Sequence, residues 1–422
     1  MSEQRPAEIP PSSTLFRSKS GAPAFFCSIA LWGIGVGCFA AVLNNYLSDI
    51  HGVTEFQRGV IEFFRELPGF LLVLILALLP RLSDWRVLRL GTVISLAAAV
   101  LILSPVQLAG ATALITLFSL GEHLVMPARQ SLAMQVARPG REGNSLGLMT
   151  SVMNGGTILG SLLAALVFWL GSSYFHIADD KTLFQAVWVL TAVLLLISTL
   201  STFTPNAPNR PAKRPRLYFH RKFNKFYILE LFYGARKQIF LTFGPYVLIK
   251  IYGMTTPQVA VLLGISAALN MLGGPAVGRL TDRFGYRTVM IWDTLILFWV
   301  CLVYGFANKL FSMPTALIVV CVNYLLDGLN STASLATNVY VKTIAADANE
   351  LTSTISTGIS INHLISIIIA PTGGLIWVRF GVGSLFAAAS VMALANSAFA
   401  WTIPVRSQAE PPQPPLKTQE RT

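Results

Sequence analysis

The sequence predicts an all-α integral membrane protein, with 12 transmembrane helices arranged as two pseudo-symmetric six-helix bundles. Three observations predict it. Apolar residues make up 54% of the chain and charged residues 12%, with a mean hydropathy of +0.61, which leaves too little charge to dress a soluble surface. Apolar stretches of about 20 residues, the length that crosses a hydrocarbon core of roughly 30 Å, recur along the whole chain. A short pattern also occurs twice: Arg81-Leu82-Ser83-Asp84 followed by Arg86 and Arg89, and Arg279-Leu280-Thr281-Asp282 followed by Arg283 and Arg287.

On the spanning template the first six segments fall near 24–48, 59–79, 88–109, 111–137, 144–170 and 183–204. Six more follow near 225–251, 258–277, 287–307, 313–342, 352–377 and 381–405. A β-barrel would show short alternating stretches, whereas these segments are apolar on most faces. Residues 1–22 and 406–422 are rich in Pro, Ser, Gln and charge and read as disordered tails. The first apolar stretch is too long for a cleaved signal. Residues 205–224 combine four prolines with a basic run and read as the linker between a first bundle, 23–204, and a second, 225–405. The halves echo each other again: the segment starting at Ala128 parallels the one starting at Ala336, setting Glu142 over Glu350 and Asn154 over Asn362.

Orientation follows from Lys and Arg. Placing both termini in the cytoplasm puts Arg81, Arg86, Arg89, Arg138, Arg141, the Arg210 to Lys225 cluster, Arg279, Arg283 and Arg287 on one side. The net charge of +12 is mostly this bias, so anionic membrane lipids are the polyanion it meets and no nucleic acid is implied. The inner or plasma membrane is the expected location. Cys27, Cys38, Cys301 and Cys321 fall inside spans and predict neither disulfide nor metal site.

The repeated R-L-[ST]-D-x-x-x-x-R pattern between spans two and three, and again between eight and nine, resembles the signature loop of the major facilitator superfamily. Pro127-Ala128-Arg129-Gln130, ending span four, is similar to a stretch of its efflux members. The resemblance implies a cavity lined by spans one, four, seven and ten, gated by two, five, eight and eleven. It also implies that Asp84 and Asp282 latch the cytoplasmic side, with the loops Arg81 to Arg89 and Gly278 to Arg287 biasing the two states. One departure stands out: Gly278 and Gly285 of the second copy are matched by Pro80 and Val87 in the first.

Ionisable residues deep in a bilayer cost free energy and tend to face a cavity or one another. Glu122 and His123 in span four, Arg236 and Lys237 in span seven and Asp327 in span ten are the leading candidates for binding and coupling. Glu122 and Arg129 share a helix face, as do Glu230 and Lys237. Asn323, Asp327, Asn330, Ser331, Ser334 and Asn338 form a polar stripe read as the cavity wall. Asn44 and Asn45 are plausible cargo contacts. Glu62, Arg65 and Glu66, near the outer end of span two, read equally as an outer gate or a local ion cluster. His363 with Asn362 reads as helix-to-helix glue, and Asp293 and Lys342 as interfacial.

These residues predict a secondary transporter moving a small organic solute by alternating access, coupled to a proton gradient and with no cofactor, since no phosphate-binding loop is present. Export leads. A nutrient importer or a lipid flippase is the alternative, and an enzyme is not expected. Monomeric function without an obligatory protein partner is expected from the resemblance. The charges leave cargo open: Arg129, Arg236 and Lys237 suit an anion or zwitterion, and Glu122 and Asp327 suit a cation.

Overall fold

The computed structural model describes residues 15–17, 20–79, 81–138, 140–203 and 217–404. Residues 1–14 and 18–19 of the first tail, the second tail, most of the linker, Pro80 and Pro139 lie outside the described residues. The first half contains α1 (Ala22–Asn45), α2 (Glu55–Ala77), α3 (Asp84–Leu101), α4 (Leu108–Val136), α5 (Glu142–Ser173) and α6 (Asp180–Ser201). The second contains α7 (Asn224–Lys250), α8 (Thr256–Phe284), α9 (Tyr286–Leu310), α10 (Met313–Ser331), α11 (Leu335–Ile344) and α12 (Ala348–Trp401), the last bent at Gly381. Among the described residues no strand forms beyond a single bridge between Phe16 and Ala137.

Among the described residues eight helical segments are long and apolar enough to cross a membrane. The exceptions are α2, which carries Glu62, Arg65 and Glu66, α3, which carries Asp84, Arg86 and Arg89, and α7, which carries Glu230, Arg236 and Lys237.

Local chemistry moves two boundaries. Span three stops at Leu101 rather than near 109, because Pro105 biases Ser104 away from helix. Span ten is not continuous: α10 gives way to a tight turn, Thr332–Ser334, before α11. In that run Ser331 donates to the Gly328 carbonyl at 2.6 Å, Thr332 to Leu329 at 2.7 Å and Ser334 to Ser331 at 3.0 Å. Hydroxyls bonding back to carbonyls three residues earlier favour the tighter winding.

The two repeated loops share chemistry but not register. In the first copy Asp84 opens α3 and Val87 lies within its first turn. In the second, Asp282 belongs to the last turn of α8, and the chain breaks at Gly285 with φ 81 and ψ 152. A β-branched residue does not adopt that backbone, so the first loop has to turn earlier. Each copy ends on an arginine that seats on the last helix of its own half. Arg89 donates to the Thr202 carbonyl at 2.8 Å and lies 3.8 Å from the Phe203 ring. Arg287 donates to the Ile403 carbonyl at 3.4 Å and lies 5.8 Å from Trp401. Both guanidinium groups meet the negative end of a helix.

The halves touch at the end opposite these loops. There α2 packs on α12, with Gly59 against the Ala370 carbonyl, and α5 packs on α8 where Ser161 and Leu162 meet Gly264. Tyr246 donates its hydroxyl proton to the Val53 carbonyl, and Asn45 donates to the Met254 carbonyl at 3.3 Å. Among the described residues no side-chain hydrogen bond joins the halves at the end bearing the loops. Among the described residues the contacts between the halves thus gather at one end, here called the sealed end, and the end bearing the loops is called the open end.

Gly278 lies inside α8 with open space where a Cβ would stand, so tight packing is not its role. Gly278→Ala should stabilise the protein by up to about 1 kcal/mol, whereas Gly285→Ala should destabilise it by roughly 1–3 kcal/mol. Denaturation of the two purified variants in detergent reads the opposite signs.

Candidate functional site

A cavity of about 460 Å³ lies between the halves, within the range of small-molecule sites. α1, α2, α4 and α5 wall it from the first half, and α7, α11, α12 and the turn before α11 from the second. Its charged lining comprises Arg65, Glu66, Glu122, Arg129, Glu230 and Lys237, with His123 and His363 beside them. Trp32, Phe226 and Tyr233 supply aromatic surface.

The roof is a ladder of buried charges along α2. Arg58 donates to Asn44 at 2.9 Å and pairs with Glu62 at 2.7 Å; Glu62 pairs with Arg65 at 2.6 Å, and Arg65 reaches Glu66 at 3.5 Å. Glu66 then crosses to the second half, its carboxylate 2.7 Å from His363 Nδ1. The His363 ring stands edge-to-face on His123, centroids 4.9 Å apart, and His123 Nδ1 lies 2.8 Å from the Ser119 carbonyl. The absence of a side chain on Gly69 lets both imidazoles come in.

Below the roof the charges stand apart. Among the described residues Glu122, Arg129, Glu230 and Lys237 make no ion pair. Among the described residues Arg129 Nε is buried without a hydrogen-bond partner, and Lys237 donates to Asn362 Oδ1, at 3.2 Å.

A second charged cluster lies inside the second half. Arg236 holds Asp293 at 3.1 and 3.3 Å and Asp327 at 3.5 Å, and Asn330 donates to the Asp293 carbonyl at 2.9 Å. None of these four lines the central cavity.

The structure thus places Glu122, His123, Arg129 and Lys237 in the cavity wall and places Arg236, Asp327 and Asn330 away from it. Asn44 and Asn45 serve the sealed end. The polar stripe read along span ten is interrupted by the turn at Thr332–Ser334, so only Ser334 and Asn338 of it reach the cavity. Asp293, read as interfacial, is packed inside because it shares Arg236 with Asp327. At the loops Asp84 accepts from Ser131 at 2.5 Å and Gln135 at 2.7 Å, within its own half. Asp282, Arg81, Arg279 and Arg283 are exposed.

The Major Facilitator Superfamily model matches residues 22–229 and again 226–422. The chain belongs to the Major Facilitator Superfamily. No curated protein matches it by sequence. Solved structures show the superfamily fold: a POT family transporter in complex with 5-aminolevulinic acid, 12% identical, aligns at a TM-score of 0.74 over 90% of this chain and 95% of its own. A mutant of the nucleoside transporter NupG, 15% identical, aligns at 0.70 over 90% and 99%. A peptide transporter POT in complex with sulfate, 15% identical, aligns at 0.68 over 91% and 94%. This superfamily member is a multi-pass membrane protein of a transporter family.

Sequence reasoning passed over Arg65, Glu66 and His363 as cavity residues, whereas Glu230, set on one face with Lys237, does line it. The signal was present in the i, i+3, i+4 charges of α2, but without helix depth they read equally as a gate or a local cluster.

The two charged clusters should respond differently to truncation. Arg236→Ala leaves two buried carboxylates without their cation and should destabilise the superfamily member by about 3–5 kcal/mol. Lys237→Ala, facing the cavity with one asparagine partner, should cost under about 1 kcal/mol. Thermal unfolding in one detergent compares them.

Proposed function

We propose that this chain is a secondary active transporter in which a small organic solute occupies the central cavity and reaches each side of the membrane in turn. The observation that carries the reading is a charged cavity between two halves that touch at one end and stand apart at the other. Rocking the halves about that cavity would exchange the open and sealed ends. In this proposal 12 helices cross the inner or plasma membrane as two pseudo-symmetric bundles, 23–204 and 225–405, with both termini in the cytoplasm and the single chain acting as a monomer. The conformation seen is then inward-open, and the exposed Asp282 is its latch released.

Proton coupling and export follow from one competition. Among the described residues Glu122 has no ion-pair partner, so it can hold either a proton or a cationic group of the cargo but not both. Exclusive occupancy links the two ligands as an exchange, and a proton gradient directed inward then drives cargo out. The resemblance of Pro127-Ala128-Arg129-Gln130 to efflux members agrees with that direction.

Purified protein in liposomes containing a pH-sensitive dye, challenged with pooled drugs, sugars, amino acids and organic acids, tests this directly. Cargo movement accompanied by opposite proton movement is expected, with the proton signal lost in Glu122→Gln. Cargo crossing without a proton signal in the wild type overturns the coupling, and silence to every pool with flux of labelled phospholipid replaces soluble cargo by lipid.

A further inference from the structure

A second cavity, of about 400 Å³, lies between α8, α9 and α10, within the range of small-molecule sites. Leu280, Phe284, Trp292, Ile296 and Leu326 line it and are all exposed, so its mouth is on the outer surface of the second half and not in the space between the halves. It sits towards the end bearing the loops, where α8 ends and α9 begins. In a membrane such a mouth opens sideways onto lipid chains. The turn at Thr332–Ser334 is a partition between the two cavities: Ala333 lines this one and Ser334 the central one.

Its lining is apolar except where Asp293, Asn330 and Thr288 reach it, and Asp293 is its one charged residue. Asp293 stands seven residues into α9, about 10.5 Å along the axis and so beneath the membrane surface. Arg236 sets one amino group against both of its carboxylate oxygens, at 3.1 and 3.3 Å, and the other against Asp327 at 3.5 Å. One guanidinium thus serves two carboxylates, and among the described residues no other cation pairs with either. Asn330 donates to the main-chain carbonyl of Asp293, at 2.9 Å, and not to its carboxylate. A carboxylate has about four acceptor positions, so Asp293 keeps acceptor capacity on the side of the cavity.

Those facts select the occupant. A lipid chain in the cavity would set hydrocarbon against open acceptor positions and leave the second negative charge of the triad uncompensated, which a low-dielectric surrounding disfavours. A small hydrophilic cation gains nothing from the apolar walls and has to cross lipid to reach them. A molecule with an apolar body and one N–H-bearing cation meets both parts of the cavity.

We propose that this lateral cavity is a binding site for a protonated hydrophobic amine that enters from the bilayer, its ammonium N–H donated to Asp293 and its body held among Phe284, Trp292, Ile296 and Leu326. The triad keeps its ion pairs, and the ligand's charge offsets its second carboxylate. The site is separate from the central cavity and independent of the transport reading, although its occupant abuts the turn that walls the central cavity.

Trp292 makes occupancy visible. The full chain in lipid nanodiscs is titrated with 4-(4-bromophenyl)butylamine, whose bromine quenches an indole on contact, with its N-acetyl derivative and with 4-(4-bromophenyl)butanoate, all corrected for partition into protein-free nanodiscs. Saturable quenching by the amine is expected at a concentration at least tenfold below that of either counterpart, and Trp292→Phe should remove that signal. Asp293→Asn, melting as the wild type does, should bring the amine to the level of the amide. Ile296→Phe, which fills the cavity from its exposed rim and leaves the triad untouched, should weaken the amine several-fold, so the outcome does not hang on the folding of one variant. Equal quenching by all three probes, or an amine signal that survives Asp293→Asn, overturns the proposal. So does loss of the signal in Glu122→Gln, which would put the amine in the central cavity, or quenching by phospholipid brominated on its chains that the amine fails to relieve, which would make the occupant lipid. No readout requires flux, so failure here leaves the transport reading standing and failure of transport leaves this site standing.

Discussion

A charge in hydrocarbon has to find a counter-charge or water, and the arrangement of this molecule follows from how each of its interior charges does so. Two solutions are visible. Arg236 gathers Asp293 and Asp327 into a triad inside the second half, and Arg58, Glu62, Arg65 and Glu66 satisfy one another along α2. Both are networks that stiffen helices. Glu122, Arg129, Glu230 and Lys237 take the other route and face an aqueous cavity. That difference separates charges that hold the fold from charges left available to cargo.

The α2 ladder does more than satisfy itself. Its last rung, the 2.7 Å contact between the Glu66 carboxylate and His363 Nδ1, joins the halves, and it sits at the top of the cavity where the sealed end begins. Movement of one half against the other has to break or re-aim this contact, so whatever binds below it is mechanically linked to the seal above. Small residues make the rest of the seal possible: Gly59 brings the backbone of α2 onto that of α12, the close approach by which helices associate without a hydrophobic driving force in lipid.

Much of this was legible in the chain. That the chain folds as a succession of long apolar helices followed from the length of its apolar runs, because a bilayer fixes the length of a span. The mismatch of Val87 with Gly285 was legible, but that the two loops turn at different places followed only from the backbone at Gly285, which only glycine takes. The site was half legible. Glu122, Arg129 and Lys237 were found from depth and helix face, but Asp327 and Arg236 looked equivalent to them on the same criteria. Depth distinguishes a charge in the membrane from one at its surface; it does not say whether the charge points to a cavity or to a neighbour. That depends on helix rotation, which the turn at Thr332–Ser334 changed for span ten, and on Asp293 lying opposite Arg236, a contact between residues 57 positions apart in the chain.

The central claim is that one seal opens as the other closes. Electron paramagnetic resonance distances on α5 and α8 measure it with two pairs of exposed sites, Leu166 with Val261 at the sealed end and Asn144 with Leu280 at the open end. In nanodiscs across pH, the account expects two populations in each pair that trade in opposite directions, the sealed-end distance lengthening as the open-end distance shortens. A single unchanging distance at both ends, or lengthening of both together, would contradict it.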